Sequence, residues 1–279
     1  NPAYTVRRYP CLNALNEPLW PDRWDYDALM QRKAEIGSLK FTREYLCVPI
    51  STGTSLFNPD FVEACKNKDY VLKLGHRKDK GYKYYVGVDP AISTDGDYNV
   101  ITVIEVDADM NKTIVHIDRA KNVEFRENLD KIRLIGKIFQ PEAIFYETNT
   151  FAKAFTQELR NISDLNIHDF NTTRKKKQEI ILNLQMNIEN GKMRFPYGDE
   201  ASRRVMNKLI EELSMFSITQ SGKFEGVGAH DDLVMSLALA NAATQNPSEQ
   251  FVLLDDMGIF DEAPPSPKPV AGGIFGLNW

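Results

Sequence analysis

Tyr84-Tyr85-Val86-Gly87-Val88-Asp89-Pro90-Ala91 is the stretch on which the reading of this chain turns. A short apolar run ends on a carboxylate, and the proline behind it cannot continue a sheet ladder, so a strand stops at Asp89. Further on, Ala143-Ile144-Phe145-Tyr146 repeats the pattern and ends at Glu147. A carboxylate closing so apolar a run is partly buried and needs a partner. Strand ends along one edge of an α/β sheet are where sites are usually built. If these two strands are parallel neighbours, Asp89 and Glu147 sit side by side.

Working outward, Val100 to Val106 and Thr113 to Ile117 are β-branched runs separated by the polar turn Asp107-Ala108-Asp109-Met110-Asn111, which reads as a hairpin. Periodicity predicts helices over Phe125 to Phe139 (stopping before Pro141), Phe151 to Arg160, Lys176 to Asn190 (ended by Gly191), Ser202 to Leu213 and His230 to Thr244. Ser217 to Val227 reads as a further hairpin around Ser221-Gly222. Strand, hairpin, strand and helix in this order describe an α/β fold, a mixed sheet with helices on both faces.

The flanks differ in composition. Residues 1–70 mix aromatics, charges and prolines, with an imperfect helical stripe of Tyr26, Leu29, Met30, Lys33 and Ile36 between Asp25 and Leu46. They read as an extended, partly helical arm packing on the main body. Residues 71–246 hold the regular α/β pattern, and residues 247–279 form an acidic tail rich in proline (Pro264, Pro265, Pro267, Pro269), expected to be a flexible linker or docking peptide.

Among its 279 residues the chain carries 34 Lys and Arg against 39 Asp and Glu, for a net charge of -5. Taken alone, that balance argues against a high-affinity nucleic-acid binder. It leaves room for an enzyme that works on DNA through a local basic strip, with something else holding the substrate. Cys11, Cys47 and Cys65 show no CxxC spacing and read as reduced thiols. No stretch reaches the ~18 apolar residues of a membrane helix, so no membrane partner is expected. The chain opens at Asn1, compatible with a fragment or a processed product.

Asp231 and Asp232 add a third acidic position, at the start of the apolar helix Leu233, Val234, Leu237, Leu239. Each acid has an ordinary reading: Asp89 before proline as a turn residue, Asp231 as a helix cap. Together they imply more. Clustered carboxylates raise one another's pKa, and a divalent cation removes that penalty. Hard oxygen ligands suit Mg²⁺ or Mn²⁺ rather than zinc, and two such ions ~3.5–4 Å apart serve phosphodiester hydrolysis.

At these residues the sequence resembles the large terminase family of tailed phages and related viruses. The likeness runs through Val86-Gly87-Val88-Asp89-Pro90-Ala91, Gly96-Asp97-Tyr98, Ile144-Phe145-Tyr146-Glu147, Gly191-Lys192-Met193-Arg194-Phe195-Pro196 and Leu209-Ile210-Glu211-Glu212-Leu213. It ends in His230-Asp231-Asp232-Leu233-Val234-Met235-Ser236-Leu237-Ala238-Leu239-Ala240, its most specific piece. Leu19-Trp20-Pro21 and Phe41-Thr42-Arg43-Glu44-Tyr45-Leu46 resemble the segment joining that family's two domains.

The resemblance implies an RNase H-like nuclease domain that cuts double-stranded, concatemeric viral DNA without reading its bases. Asp89, Glu147, Asp231 and Asp232 would be the catalytic metal ligands, with either member of the last pair the principal one. It also implies an ATPase domain in the same full-length protein, partners among portal, small terminase subunit and procapsid, and action in the cytoplasm of an infected host. The Gly-Lys pairs at 136–137, 191–192 and 222–223 lack the Ser or Thr of a phosphate-binding loop, so this chain is not expected to hydrolyse ATP.

Arg174-Lys175-Lys176-Lys177 is the densest basic run, readable as a DNA-backbone contact or as a solvated face, and Lys153 is a weaker candidate of the same kind. Asp95 and Asp97 read as turn residues, His230 as a helix cap. Two other functions fit the pattern: a Holliday-junction resolvase or transposase-like nuclease of the same fold, and a non-catalytic docking module of a packaging motor.

Overall fold

A computed structural model of the chain describes residues 5, 7–48, 55–75, 81–90, 98–148, 164–219, 223–226 and 231–245. By contacts the chain divides into Asn1–Thr244 and Gln245–Trp279, and the description below concerns the first unit.

Its frame is a seven-stranded mixed sheet. The strand opened by the quoted sequence is β2 (Lys83–Asp89), and it pairs antiparallel with β3 (Asn99–Val106), which pairs antiparallel with β4 (Lys112–Ala120). On its other side β2 runs parallel to β5 (Ala143–Glu147), and β5 parallel to β6 (Ile167–Phe170). Beyond β4 lie β7 (Met193–Pro196) and β1 (Lys66–Asn67), both joined in parallel. A separate two-stranded ribbon, β8 (Phe216–Ile218) with β9 (Phe224–Gly226), is the expected late hairpin.

The two faces are set by the period of two. Tyr84, Val86, Val88, Ile101, Val103, Ile144 and Tyr146 point to one side and meet α4 (Phe125–Phe139) through Leu129, Ile132, Ile135 and Phe139. α4 stops where Gln140 turns left-handed ahead of Pro141. The alternate residues Val100, Ile104, Ala143 and Phe145 point the other way, into the larger core. That core is closed by α5 (Arg174–Glu189), α6 (Glu200–Met215) and α7 (Asp232–Ala243).

Every residue of α7 is buried. The helix lies on β2, β3 and β5, and its small residues Ser236, Ala238, Ala240, Ala242 and Ala243 permit a close approach. Closest is Gly87, where a side-chain carbon would collide with the backbone of Ser236 and Ala240. Ser236 and Thr102 share a 2.8 Å hydrogen bond at the same contact.

The amino-terminal stretch folds as α1 (Tyr26–Ile36), α2 (Ser38–Glu44) and α3 (Pro59–Ala64) before β1. The single helical pattern read over Asp25 to Leu46 is two helices, because Gly37 at φ +80° ends the first. Leu56, Phe57, Val62 and Cys65 enter the larger core. All three cysteines are free. The helix expected over Phe151 to Arg160, the tail, and the residues Asp95, Asp97, Lys153 and His230 lie outside the described residues. Among the described residues no helix is long and apolar enough to cross a membrane.

Candidate metal centre

The parallel register pairs Val88 with Tyr146, so the next residues along, Asp89 and Glu147, are neighbours at the same sheet edge. Both project to the face covered by α7, because both are in phase with the inward Gly87 and Phe145 of that side. The two carboxyls share a hydrogen bond. Burial pushes the Asp89 carboxyl well above the usual range, and the charges of Glu147, then Asp232, then Asp231 push it further. Two ionised carboxylates cannot rest this close without a proton or a cation between them.

α7 runs back along β2 from its Gly87 contact and so brings its first residues towards Asp89. Asp232 is 9% exposed, and its Oδ2 accepts a 3.3 Å hydrogen bond from the Tyr98 amide at the foot of β3. Asp231 occupies the N-cap position, yet its side chain makes no capping hydrogen bond. It accepts instead from Lys177 Nζ at 2.9 Å. The N–H groups of Leu233 and Val234 are taken by Glu212 of α6, at 2.9 and 3.4 Å. Burial raises the Glu212 carboxyl to about 7, against the opposing pull of the Leu233 amide and Arg119. Arg119 lies 3.6 Å from Glu212 and stacks 3.4 Å above the Tyr98 ring. Its Nε finds no acceptor among the described residues.

Of the four acids singled out in the sequence, Asp89 and Glu147 are brought into contact. Asp232 acts on Asp89 from the start of α7, and Asp231 is held by a lysine. Among the described residues no three His, Cys, Asp or Glu side chains close around a single metal position. The set nonetheless fits a hard divalent cation: its donors are all carboxylate oxygens, and burial and like charge dominate the surroundings of Asp89.

The basic run opens α5 against the positive end of the helix dipole, with no acid in that first turn. Thr173 Oγ1 caps the helix through the Lys176 amide. Arg174 and Lys175 are exposed, Lys176 and Lys177 half-buried. Lys177, readable from sequence as a DNA-backbone contact or as part of a solvated face, is turned onto Asp231.

Sequence reasoning gave no site role to Glu212, Arg119 or Tyr98, although Tyr98 and Glu212 lie in stretches that carry the family likeness. A signal existed for the first: Glu212 lies three residues from Leu209 and six from Met206, on the helix stripe that carries the buried side chains of α6.

A family model described as the terminase RNaseH-like domain matches residues 86–243. The large terminase subunit of Thermus virus P23-45 is 25% identical over 246 residues, covering 83% of this chain and 46% of that protein. The chain therefore spans about half the length of the curated relatives it matches. The large terminase nuclease of the thermophilic phage G20c, solved with bound magnesium, superposes with a TM-score of 0.54 at 23% identity, over 70% of this chain and 98% of that one. The large terminase of the HK97 bacteriophage gives 0.51 at 13% identity, over 78% and 50%. These likenesses place the mixed sheet and its helices in the RNase H-like fold.

Proposed function

Because the chain belongs to the terminase RNaseH-like domain family, we propose that it is the endonuclease of a large terminase, a metal-dependent hydrolase that cuts concatemeric double-stranded viral DNA during genome packaging. One observation carries the reading: Asp89 and Glu147 meet at adjacent parallel strand ends, where burial, Glu147 and then Asp232 and Asp231 raise the Asp89 carboxyl above its ordinary range. A structural role explains one buried carboxyl, and explains two side by side at a sheet edge, with two more acting on Asp89 from the start of α7, much less well.

On this reading Asp89, Glu147, Asp231 and Asp232 hold Mg²⁺ or Mn²⁺, two ions being the usual number for such chemistry. The G20c nuclease is solved with bound magnesium and with bound zinc, which supports a divalent cation without selecting one; the choice of Mg²⁺ or Mn²⁺ rests on the all-oxygen donors. When bound, the ions supply an activated water and charge stabilisation for in-line attack on phosphorus. The protein's part is positional. β2 and β5 fix two carboxylates in register, α7 delivers the others, and the tight Gly87 contact prevents α7 from sliding along the sheet. Arg174, Lys175 and Lys176 are proposed to neutralise the DNA backbone, with Lys153 beside Glu147 in sequence; a phosphate arriving at the site can also draw Lys177 from Asp231. The net charge of -5 leaves intrinsic DNA affinity low, so an ATPase domain of the full-length protein, with portal, small subunit or procapsid, would hold the substrate. Residues 71–246 are proposed as the nuclease domain, acting in the host cytoplasm.

The test is cleavage of supercoiled plasmid in Mn²⁺. The wild type nicks or linearises it, and Asp89→Ala reduces the rate by at least about a hundredfold, a loss on the scale of removing a principal electrostatic group. Cleavage that survives EDTA contradicts the mechanism. Preference for four-way junctions over linear duplex would assign a resolvase instead. A second reading, a non-catalytic docking module, draws on the Lys177–Asp231 pair and on the lack of three closed ligands among the described residues. A folded protein that leaves plasmid intact at every Mn²⁺ concentration would favour it.

A further inference from the structure

We propose that Glu212 is a positioning residue, which caps α7 in place of Asp231 and so sets where the two acids at the helix start stand relative to the sheet edge; the inference rests on the nuclease reading above. The first N–H groups of any helix need acceptors, and an Asp at the N-cap ordinarily supplies one from its own side chain. Asp231 stands at that position and does not do so. The duty has passed to a carboxylate 21 residues before Leu233, on a different helix, 8% exposed and accepting from both Leu233 and Val234.

This arrangement is costly, since it buries a carboxylate where a local cap was already in place. It is secured by further contacts. Arg119 pairs with Glu212 at 3.6 Å and lies flat on Tyr98, and the Tyr98 amide in turn holds Asp232 Oδ2. The contacts form a closed circuit: Glu212 to the α7 amides, α7 to Asp232, Asp232 to Tyr98, Tyr98 to Arg119, and Arg119 back to Glu212. Both the height of α7 above the sheet edge and the rotation of Asp232 are thereby fixed from α6 and β4. Glu212 itself touches α7 through backbone amides, so its effect on the cation is indirect.

The experiment compares Mn²⁺ affinity by calorimetry in wild type, Glu212→Ala and Glu212→Gln, with amide exchange at Leu233 and Val234 as the structural readout. Glutamine keeps an acceptor oxygen and alanine does not. The expected result is a loss of affinity of roughly tenfold or more in Glu212→Ala, the scale of second-layer metal partners, with faster exchange at the two amides and an otherwise intact fold. Glu212→Gln is expected to stay within about threefold of wild type, a difference that falls short of the second-layer scale. Wild-type affinity in a folded Glu212→Ala overturns the inference and leaves the nuclease reading standing. Glu212→Gln as weak as Glu212→Ala overturns it too, because charge and not capping would then matter. If Glu212→Ala does not fold, Glu212→Leu, which keeps the bulk and removes the acceptor, is measured in its place against the same roughly tenfold threshold. A wild type that binds no Mn²⁺ overturns the nuclease reading and this inference with it.

Discussion

Gly87 and Lys112 show how much of the site depends on single residues away from it. At Gly87 any side chain would meet the backbone of α7, which cannot rotate aside as a side chain could. Gly87→Ala is therefore expected to destabilise by about 3 kcal/mol, the upper part of the overpacking range. A urea titration should show the midpoint fall with the slope unchanged, and a near-native midpoint would mean that α7 does not sit where described. Lys112 is 4% exposed, and its ammonium donates to Asn187 Oδ1 at 3.0 Å and Asn241 Oδ1 at 2.8 Å, tying β4 to α5 and α7. Burial lowers its pKa from 10.5 to about 8.

The unfolded chain therefore takes up this proton near 10.5 and the folded chain only near 8, so stability tied to Lys112 is present above 10.5 and is lost as pH falls to about 8. Relative to Lys112→Met, the wild type should gain on the order of 3 kcal/mol across that window as pH rises. Denaturation of both proteins at about pH 7.5 and at about pH 10.5 measures the difference, and a flat difference would contradict the burial of this amine.

At the scale of elements, what could be read in advance follows the length and regularity of the signal. β2 and β5 were legible because an apolar run with a carboxylate at its end is a local pattern, and α4 because Leu129, Ile132, Ile135 and Phe139 repeat at helical spacing over about three turns. β6 and β7 were not, since Ile167–Phe170 and Met193–Pro196 give four residues each and owe their strand form to partners far away in sequence. α7 was legible as a helix, although all its faces are apolar, through its length and small residues. The exchange of caps at its start could not be read, because nothing in His230-Asp231-Asp232 says that Glu212 will reach the amides first. Lys177 was legible only as part of a basic run, open between DNA contact and solvated face. Its turn towards Asp231 depends on how α5 lies beside α7, which a charge run does not encode.

At the scale of the molecule, the order of the sheet converts these local features into a site. Parallel pairing of β2 with β5 places Asp89 beside Glu147, while the antiparallel β2–β3–β4 ribbon brings Tyr98 and Arg119 to the same end. From sequence the adjacency of Asp89 and Glu147 was conditional on that pairing. The net charge of -5 gives the chain no strong general pull on DNA, and the chain covers 46% of the Thermus virus P23-45 protein. The central claim is that the carboxylates at this edge exist to hold divalent cations. Anomalous diffraction from crystals soaked in Mn²⁺ tests it most directly. The account predicts at least one strong peak bridging Asp89 and Glu147, with an oxygen of Asp232 or Asp231 completing its shell and the Lys177 ammonium displaced wherever Asp231 is used. Density with no peak at this edge, and Asp89 still hydrogen-bonded to Glu147 at saturating Mn²⁺, would contradict it.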